Sequence, residues 1–558
     1  MDANTYLNRG LEMAGQGNLP QAISAFRQAI RLRPDYPEAY NNLGALLART
    51  NHLQEAVACL KRAVELKPDY PEAFNNLGSL FTMSARFEEA ENCLQQAINL
   101  KPDYAEACHN LALVLKNTAP DSEKAETLLQ QAIKLKPDYY EAYNSLGALL
   151  KEKNCLNEAA NYLHQAIVIK PDSPEACFHL GMVLKEQNRL DEAAVHLVQA
   201  LQLKPDFAEA HCGLGLVYKE LNRLGEAETH LGRALELCPD FKEAAFVLGV
   251  LYLLQGQYTK GWEKYELRRQ ILQTPEPPVT PWQGQDLTGR SILLFHERGF
   301  GDTIHFVRYV KKIAALAAAT TLLVPKSLAS LFSFSFANIT VLSGKSLPRS
   351  YDFACPLPSL PYHFHTTLAT IPQTIPYLKA NPAITAKWQA LLQQHGCNTA
   401  YKAGVVWAGS PQHKNDRNRS IPFRLFKPLF TVDTVRWISL QAGPRANDLT
   451  VSDKVLDFSP ALTDFAKTAG LIENLDLVIT VDTAVAHLAG ALGKETWLLL
   501  PLDPDWRWHL AREDSPWYPS LRLFRQREPD GWQEVLTKIK LALEAKLNNN
   551  HYVPIRQG

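Results

Sequence analysis

Proline recurs at positions 34, 68, 102, 137, 171, 205 and 239, mostly within a (K/R)PD triplet. The interval is 34 residues, apart from a single interval of 35 that carries the insertion Ala119-Pro120-Asp121. No other feature restricts the fold so tightly. A period of this length is one supersecondary unit that cannot bury its apolar face alone, so neighbours must stack. Within the second period the small and apolar positions are Leu43, Gly44, Ala56 and Ala63, closed by Pro68. Small residues let two antiparallel helices approach, and the proline ends the second helix. Seven full repeats cover about residues 3–240. An eighth, degenerate one runs to about 270, and its second helix carries GWEKYELRR. Trp262 and Tyr265 are expected to close the end of the stack against the next domain.

This pattern resembles the tetratricopeptide (TPR) family position by position, which implies an all-α superhelix over residues 1–270. One position asks for more than packing. Asn8, Asn42, Asn76 and Asn110 recur 34 residues apart, and the next three repeats carry Ser145, His179 and Gly213 there. Asn is a mediocre helix former, so four in register need a reason beyond a solvated helix surface. Stacked first helices would align them on the concave face, where an amide offers both donor and acceptor to a peptide unit. The arrangement is similar to the asparagine ladder of the O-linked GlcNAc transferases, whose TPR groove grips the acceptor polypeptide. That resemblance implies acceptor binding by Asn8, Asn42, Asn76 and Asn110.

Residues 271–290 are rich in Pro and Gly, lack a period and read as a linker. Beyond them short apolar runs alternate with helical segments, the pattern of an α/β fold. Strands are expected at 291–296, 321–324, 339–342, 403–408, 435–441, 475–481 and 495–500. Helices are expected at 302–316, near 327–332, and at about 531–547. Residues 380–401 form a crossover between two halves, 291–395 and 396–558. The proline-broken segment YDFACPLPSLP, 351–361, either lines a cleft or crosses a sheet edge.

Two loops carry chemistry. The first expected strand leads into Glu297, Arg298, Gly299, Gly301 and Asp302. The GxG lacks the third glycine of a dinucleotide fingerprint, and Asp302 also suits a helix N-cap. The stretch LDLVITVDTAVAHLAGALG, 475–493, reads as strand, tight turn and helix, with Asp482 and Thr483 at the junction. A helix N-terminus at the carboxyl end of a parallel strand is a ready anion site, although an ordinary βα unit has the same pattern. A basic loop, 409–422, holds Ser410, Lys414, Arg417 and Arg419 and suits a diphosphate.

DTAVAHLAGALG looks like the D-T-x-x-x-H-L-A-x-A-L-G signature of the ADP-heptose heptosyltransferases (glycosyltransferase family 9), with Ala484 where Gly is usual. R-x-x-G-D around Asp302 and Arg419-Ser-Ile-Pro422 resemble two further motifs of that family. The resemblance implies a GT-B fold of two Rossmann-like domains after the repeats. It implies Asp302 as general base, with Gly301, Ser410, Lys414, Arg419, Gln441, Asp482, Thr483, Ala484 and His487 around a nucleotide-sugar. Asp503-Pro-Asp505 mimics a metal-binding DxD, but such enzymes need no metal, so neither metal nor cofactor is expected. Trp506, Arg507 and Trp508 either stack on a substrate or pack the last helix. The layout is similar to TPR-linked bacterial flagellin glycosyltransferases, which implies protein O-glycosylation. Two rivals stand beside this: a transferase acting on a glycan or lipid, and a non-catalytic TPR adaptor.

The totals are consistent with this. Lys plus Arg and Asp plus Glu are 58 each, which gives no electrostatic case for nucleic acid or an anionic membrane. Nine scattered cysteines without CxxC pairs suggest reduced thiols in a cytoplasmic protein. MDANTYLNRG has no basic region and no apolar core, so no signal peptide is expected. No apolar run approaches the length of a membrane span.

Overall fold

The computed structural model describes all residues except 119–122, 298, 345–346, 348–349, 398–399, 414, 450–453, 529–530 and 551–558, and the side chains of 549–550. Arg298, Lys414 and the insertion at 119–121 therefore lie outside the described residues. The chain forms two compact units, Met1–Val217 and Tyr218–Gly558.

The first unit is a series of helix pairs, such as Pro37–Arg49 with Leu53–Leu66 and Pro71–Met83 with Phe87–Leu100. Pro37, Pro71 and Pro174 open first helices, where a missing N–H costs nothing. Gly44, Gly78, Gly147 and Gly181 are crossing points: a methyl on Gly44 would lie 2.6 Å from Leu60 Cγ, and one on Gly147 2.5 Å from Leu163 Cγ. Ala39, Ala56 and Ala63 are wholly buried beside them. The (K/R)PD(Y/F) turn has its own lock, because the basic side chain lies over the ring, as in Lys67 on Tyr70 and Lys101 on Tyr104. The turn within the repeat needs a left-handed residue, supplied by Asn51, Asn154 and Asn188 but by Ala85 in the third repeat.

The second unit holds the last repeats and two parallel sheets. The strands are β1 (Ser291–Phe295), β2 (Ala319–Leu323), β3 (Thr340–Leu342), β4 (Phe353–Pro356), β5 (Tyr401–Val406), β6 (Val435–Ser439), β7 (Val455–Asp457), β8 (Leu477–Val481), β9 (Thr496–Leu500) and β10 (Leu521–Arg525). The four-stranded sheet runs β3-β2-β1-β4 and the six-stranded sheet β10-β9-β8-β5-β6-β7. Counted from β5, the second sheet has the doubly wound order 3-2-1-4-5-6, with its topological switch between β5 and β8.

The structure corrects several sequence expectations. The segment 351–361 contributes β4, which pairs in parallel with β1. The linker is not without structure: Trp282 N donates to Ala354 O at 2.7 Å and Ala354 N to Thr280 O at 2.8 Å, extending the β4 edge. The helix expected at 302–316 is instead Phe300–Phe306, a 3₁₀ turn Val307–Tyr309, and Val310–Ala314. β7, β10 and the helix Phe465–Glu473, which fills the second crossover, have no counterpart among the expected elements.

One core runs from the degenerate repeat through both sheets, including Leu254, Trp262, Ile304, Leu488 and Trp517. Trp262 Nε1 donates to Thr366 O at 2.8 Å, and Trp517 Nε1 to Tyr258 Oη at 3.1 Å. Arg268, 1% exposed, binds Glu266 and Glu297 at 2.5 and 2.8 Å and Ser359 Oγ at 2.6 Å. Two carboxylates on one buried guanidinium offset its desolvation. The closing role expected of Trp262 and Tyr265 is thus met by a hydrogen-bonded seam.

Candidate functional site

Four chain segments meet at the carboxyl ends of the strands: 299–302 after β1, 415–420 after β5, 482–484 after β8 and 501–509 after β9. β8 is buried along its whole length, and Thr483 ends it by capping the helix Ala484–Leu492, accepting from Val485 N at 3.3 Å. The strand, turn and helix are those expected from the sequence. Arg419 Nη1 donates to Asp482 O at 2.9 Å, so the basic loop is fastened to the helix entry across the switch between β5 and β8. Arg419 Nε lies 3.5 Å from Asp416 Oδ1 and makes no hydrogen bond. Asp416, 5% exposed, also accepts from Ser420 Oγ at 2.8 Å. Gly409 leaves room for this pair, since a methyl there would lie 2.5 Å from Arg419 Nη2 and 2.6 Å from Asp416 Oδ1.

The first sheet's loop reaches the same place. A methyl on Gly301 would lie 2.9 Å from His487 Cδ2 and 3.7 Å from Ala484 Cα, so glycine is needed for this approach. Asp302 then faces Arg507, whose Nη2 donates to Asp302 Oδ1 at 2.5 Å and whose Nη1 donates to Asp505 Oδ1 at 2.8 Å. Arg507 is 4% exposed and lies over the Phe306 and Trp506 rings. Burial pushes the Asp482 carboxyl up to about 6; the neighbouring Asp505 charge adds to this, while Arg419, Trp508 and Arg507 oppose it. His413 is held below its usual range, by burial first and then by Arg419.

Gly301, Asp302, Arg419, Asp482, Thr483 and Ala484 thus come together, and three other expected residues do different work. Gln441 is buried, and its amide is engaged with backbone. Oε1 accepts from Trp407 N at 3.2 Å and Ala408 N at 3.0 Å, and Nε2 donates to Ala408 O at 3.0 Å. It holds the β5 loop, and a base contact would require breaking those bonds. His487 is buried under Trp508, stacked at 5.2 Å, with Nδ1 3.0 Å from Tyr518 Oη. Burial and the Arg507 and Arg308 charges keep its pKa well below the usual histidine range. It is a neutral packing residue between the halves rather than a phosphate contact. Ser410 is exposed, with its carbonyl accepting from His413 N at 3.0 Å.

Sequence reasoning missed the weight of Arg507, Asp505 and Asp416. Asp503 and Asp505 are both ion-paired, to Lys219 at 2.7 Å and to Arg507 at 2.8 Å. Among the described residues no group of three His, Cys, Asp or Glu is arranged to hold a metal.

In the first unit the asparagine row is partly explained by packing. Asn76 Nδ2 donates to Asn41 Oδ1 and Asn110 Nδ2 to Asn75 Oδ1, both at 2.9 Å, and Ser145 Oγ lies 3.0 Å from His109 Nε2. Each joins its own first helix to the preceding one. At Asn42 the equivalent neighbour is Leu7, which cannot accept, and Asn8 is exposed.

Models of the tetratricopeptide repeat match residues 10–51, 37–103, 105–139, 181–222 and 208–241. The repeats are tetratricopeptide repeats. Protein FlbA of Caulobacter vibrioides is 25% identical over 320 residues, covering 52% of this chain. The chain spans only about half of that relative's length, 53%. Similar solved structures include the APC/C hetero-tetramer Cut9-Hcn1, 16% identical with TM-score 0.41, covering 48% of this chain and 52% of that one. Another is MamA, 28% identical with TM-score 0.26, covering 29% of this chain and 94% of that one. Among the described residues no helix is long and apolar enough to cross a membrane.

Proposed function

We propose that this protein is a bacterial, cytoplasmic, metal-independent glycosyltransferase of the GT-B type. It moves a sugar from a nucleotide-sugar donor to a hydroxyl of a polypeptide acceptor bound by the TPR array. The observation that carries this reading is the meeting of Gly301-Asp302 with Arg419 and the Thr483-capped helix at the carboxyl ends of two parallel sheets. An open α/β sheet binds ligands at its switch point, and a helix N-terminus there favours phosphate.

Arg507 fixes Asp302 through Oδ1, which leaves Oδ2 to take the acceptor's hydroxyl proton. As the bond between anomeric carbon and phosphate oxygen breaks, the charge on the departing nucleotide falls to the Arg419 guanidinium and the free N–H groups of Ala484–Leu492. The acceptor oxygen forms the new bond to the anomeric carbon. Backbone recognition by Asn8 and Asn42 suits a protein acceptor of varied sequence.

The test is a panel of nucleotides and nucleotide-sugars scored by thermal shift, since a donor that binds the native state raises its stability. At least one nucleotide-sugar should stabilise the protein. With it, Asp302→Asn should cut turnover by about 10²- to 10⁴-fold with donor binding near normal. Absence of stabilisation by any donor, or full turnover in that variant, would overturn the reading.

A further inference from the structure

Lysine recurs at 116, 151, 185 and 219, one per repeat, at the end of successive first helices. In the first unit this row joins neighbouring repeats. Lys116 Nζ lies 2.8 Å from Glu152 of the next first helix, and Lys151 Nζ lies 3.7 Å from Glu186 of the one after. The acid takes the same place each time, at 152, 186 and 220. One repeat further on that place is Leu254, which carries no charge. Lys219 instead donates to both oxygens of Asp503, at 2.7 and 2.8 Å. Both side chains are 14% exposed, so the pair is largely shielded from solvent. The same loop also takes the Leu254 carbonyl, with His509 Nδ1 at 3.1 Å. The loop after β9 thus supplies what the next repeat would have supplied.

That loop is also the one that carries Arg507. Asp503 is followed by Pro504, which stiffens the chain. Asp505 then caps the turn Trp506–Trp508 by accepting from Arg507 N at 3.0 Å and holds Nη1 at 2.8 Å, while Nη2 is on Asp302. Three ion pairs, Lys219–Asp503, Asp505–Arg507 and Arg507–Asp302, therefore join the end of a repeat helix to the carboxylate of the cleft.

We infer that Lys219 is a positioning residue. By holding Asp503 it keeps Arg507 on Asp302, so the last repeats set the geometry of the proposed base. The role given to Asp302 here rests on the proposed function. The pairing itself is tested without any substrate.

The experiment is hydrogen exchange by mass spectrometry on the full chain, comparing wild type, Lys219→Met and Lys219→Arg. Lys219→Met should speed exchange roughly tenfold in segments 503–509 and 299–306, and Lys219→Arg should restore it. A merely local tie would loosen 208–220 and 503–504 and leave 299–306 unchanged, and that result overturns the inference. So does unchanged protection throughout. If Lys219→Met unfolds the unit, the exchanged pair Lys219→Asp with Asp503→Lys decides. Recovered protection at 299–306 supports the inference, and failure to recover overturns it. These outcomes do not depend on turnover. Full activity of Asp302→Asn would therefore remove the base role while the coupling between 219 and 299–306 still stood or fell by exchange alone.

Discussion

Asp482→Asn should stabilise the second unit above neutrality and have no effect in acid. The folded Asp482 carboxyl keeps its proton to about pH 6, whereas the ordinary value is 3.8. Between those values the folded state binds more protons than the unfolded chain. Stability therefore falls as pH rises from about 4 to about 6 and stays lowered above that. A gap of about two units at 1.4 kcal/mol each caps the effect at about 3 kcal/mol. Asparagine is nearly the same size and carries no charge. The Arg419 bond goes to the Asp482 carbonyl, not its side chain, so the substitution leaves that tie in place. The variant should match wild type near pH 4 and exceed it by about 2 kcal/mol at pH 8. The assay is urea unfolding followed by tryptophan fluorescence, because all ten tryptophans lie between positions 262 and 532, inside the second unit. Other carboxylates titrate in both proteins, so the difference between variant and wild type isolates this one. A difference that is constant from pH 4 to 8, or a variant less stable at pH 8, would refute the reasoning. A bound phosphate adds a negative charge beside Asp482, so nucleotide affinity should rise as pH falls through 6 in wild type and lose that dependence in the variant.

Arg419→Ala should weaken nucleotide binding by about 1.5–3 kcal/mol, the worth of a charge-assisted contact, and calorimetric titration giving equal affinities would remove it from the site. Asn76→Ala combined with Asn110→Ala takes the donor from Asn41 and Asn75 and should cost the first unit about 1 kcal/mol per bond; an unchanged midpoint by circular dichroism would show those bonds to be incidental. Ala85→Asn should add about 1 kcal/mol, because Ala85 holds φ 54° where Asn51 and Asn154 stand in equivalent turns. A lower midpoint there would contradict the left-handed turn.

The repeats were legible because their determinants are local: a proline that ends a helix, a glycine at most crossings and alanines at close approaches recur at nearly one spacing. The Thr483 cap was legible for the same reason. Where partners lie far apart in sequence, residue type alone was a poor guide. Asn76 and Asn110 stood out by period, yet the acceptors that occupy them sit 35 positions earlier, and those acceptors carry no signal without the helix stacking. β4 was hidden by the prolines of its segment, of which only Pro356 lies in the strand, at the end where an edge strand tolerates one. Arg507 sits in a Trp-Arg-Trp run that reads as packing, and its partner Asp302 is 205 residues away. His487 and Gly301 show the other side of this. Both fall on motif positions, and the structure packs them against each other at the edge of the cleft. The glycine has no side chain because the imidazole lies against it, and burial first, then the charges of Arg507, Arg308 and Arg419, hold the imidazole's pKa well below its usual range. A motif position can therefore be required by the packing of one loop on another, while the neighbouring Asp302 pairs with Arg507 and Thr483 caps a helix.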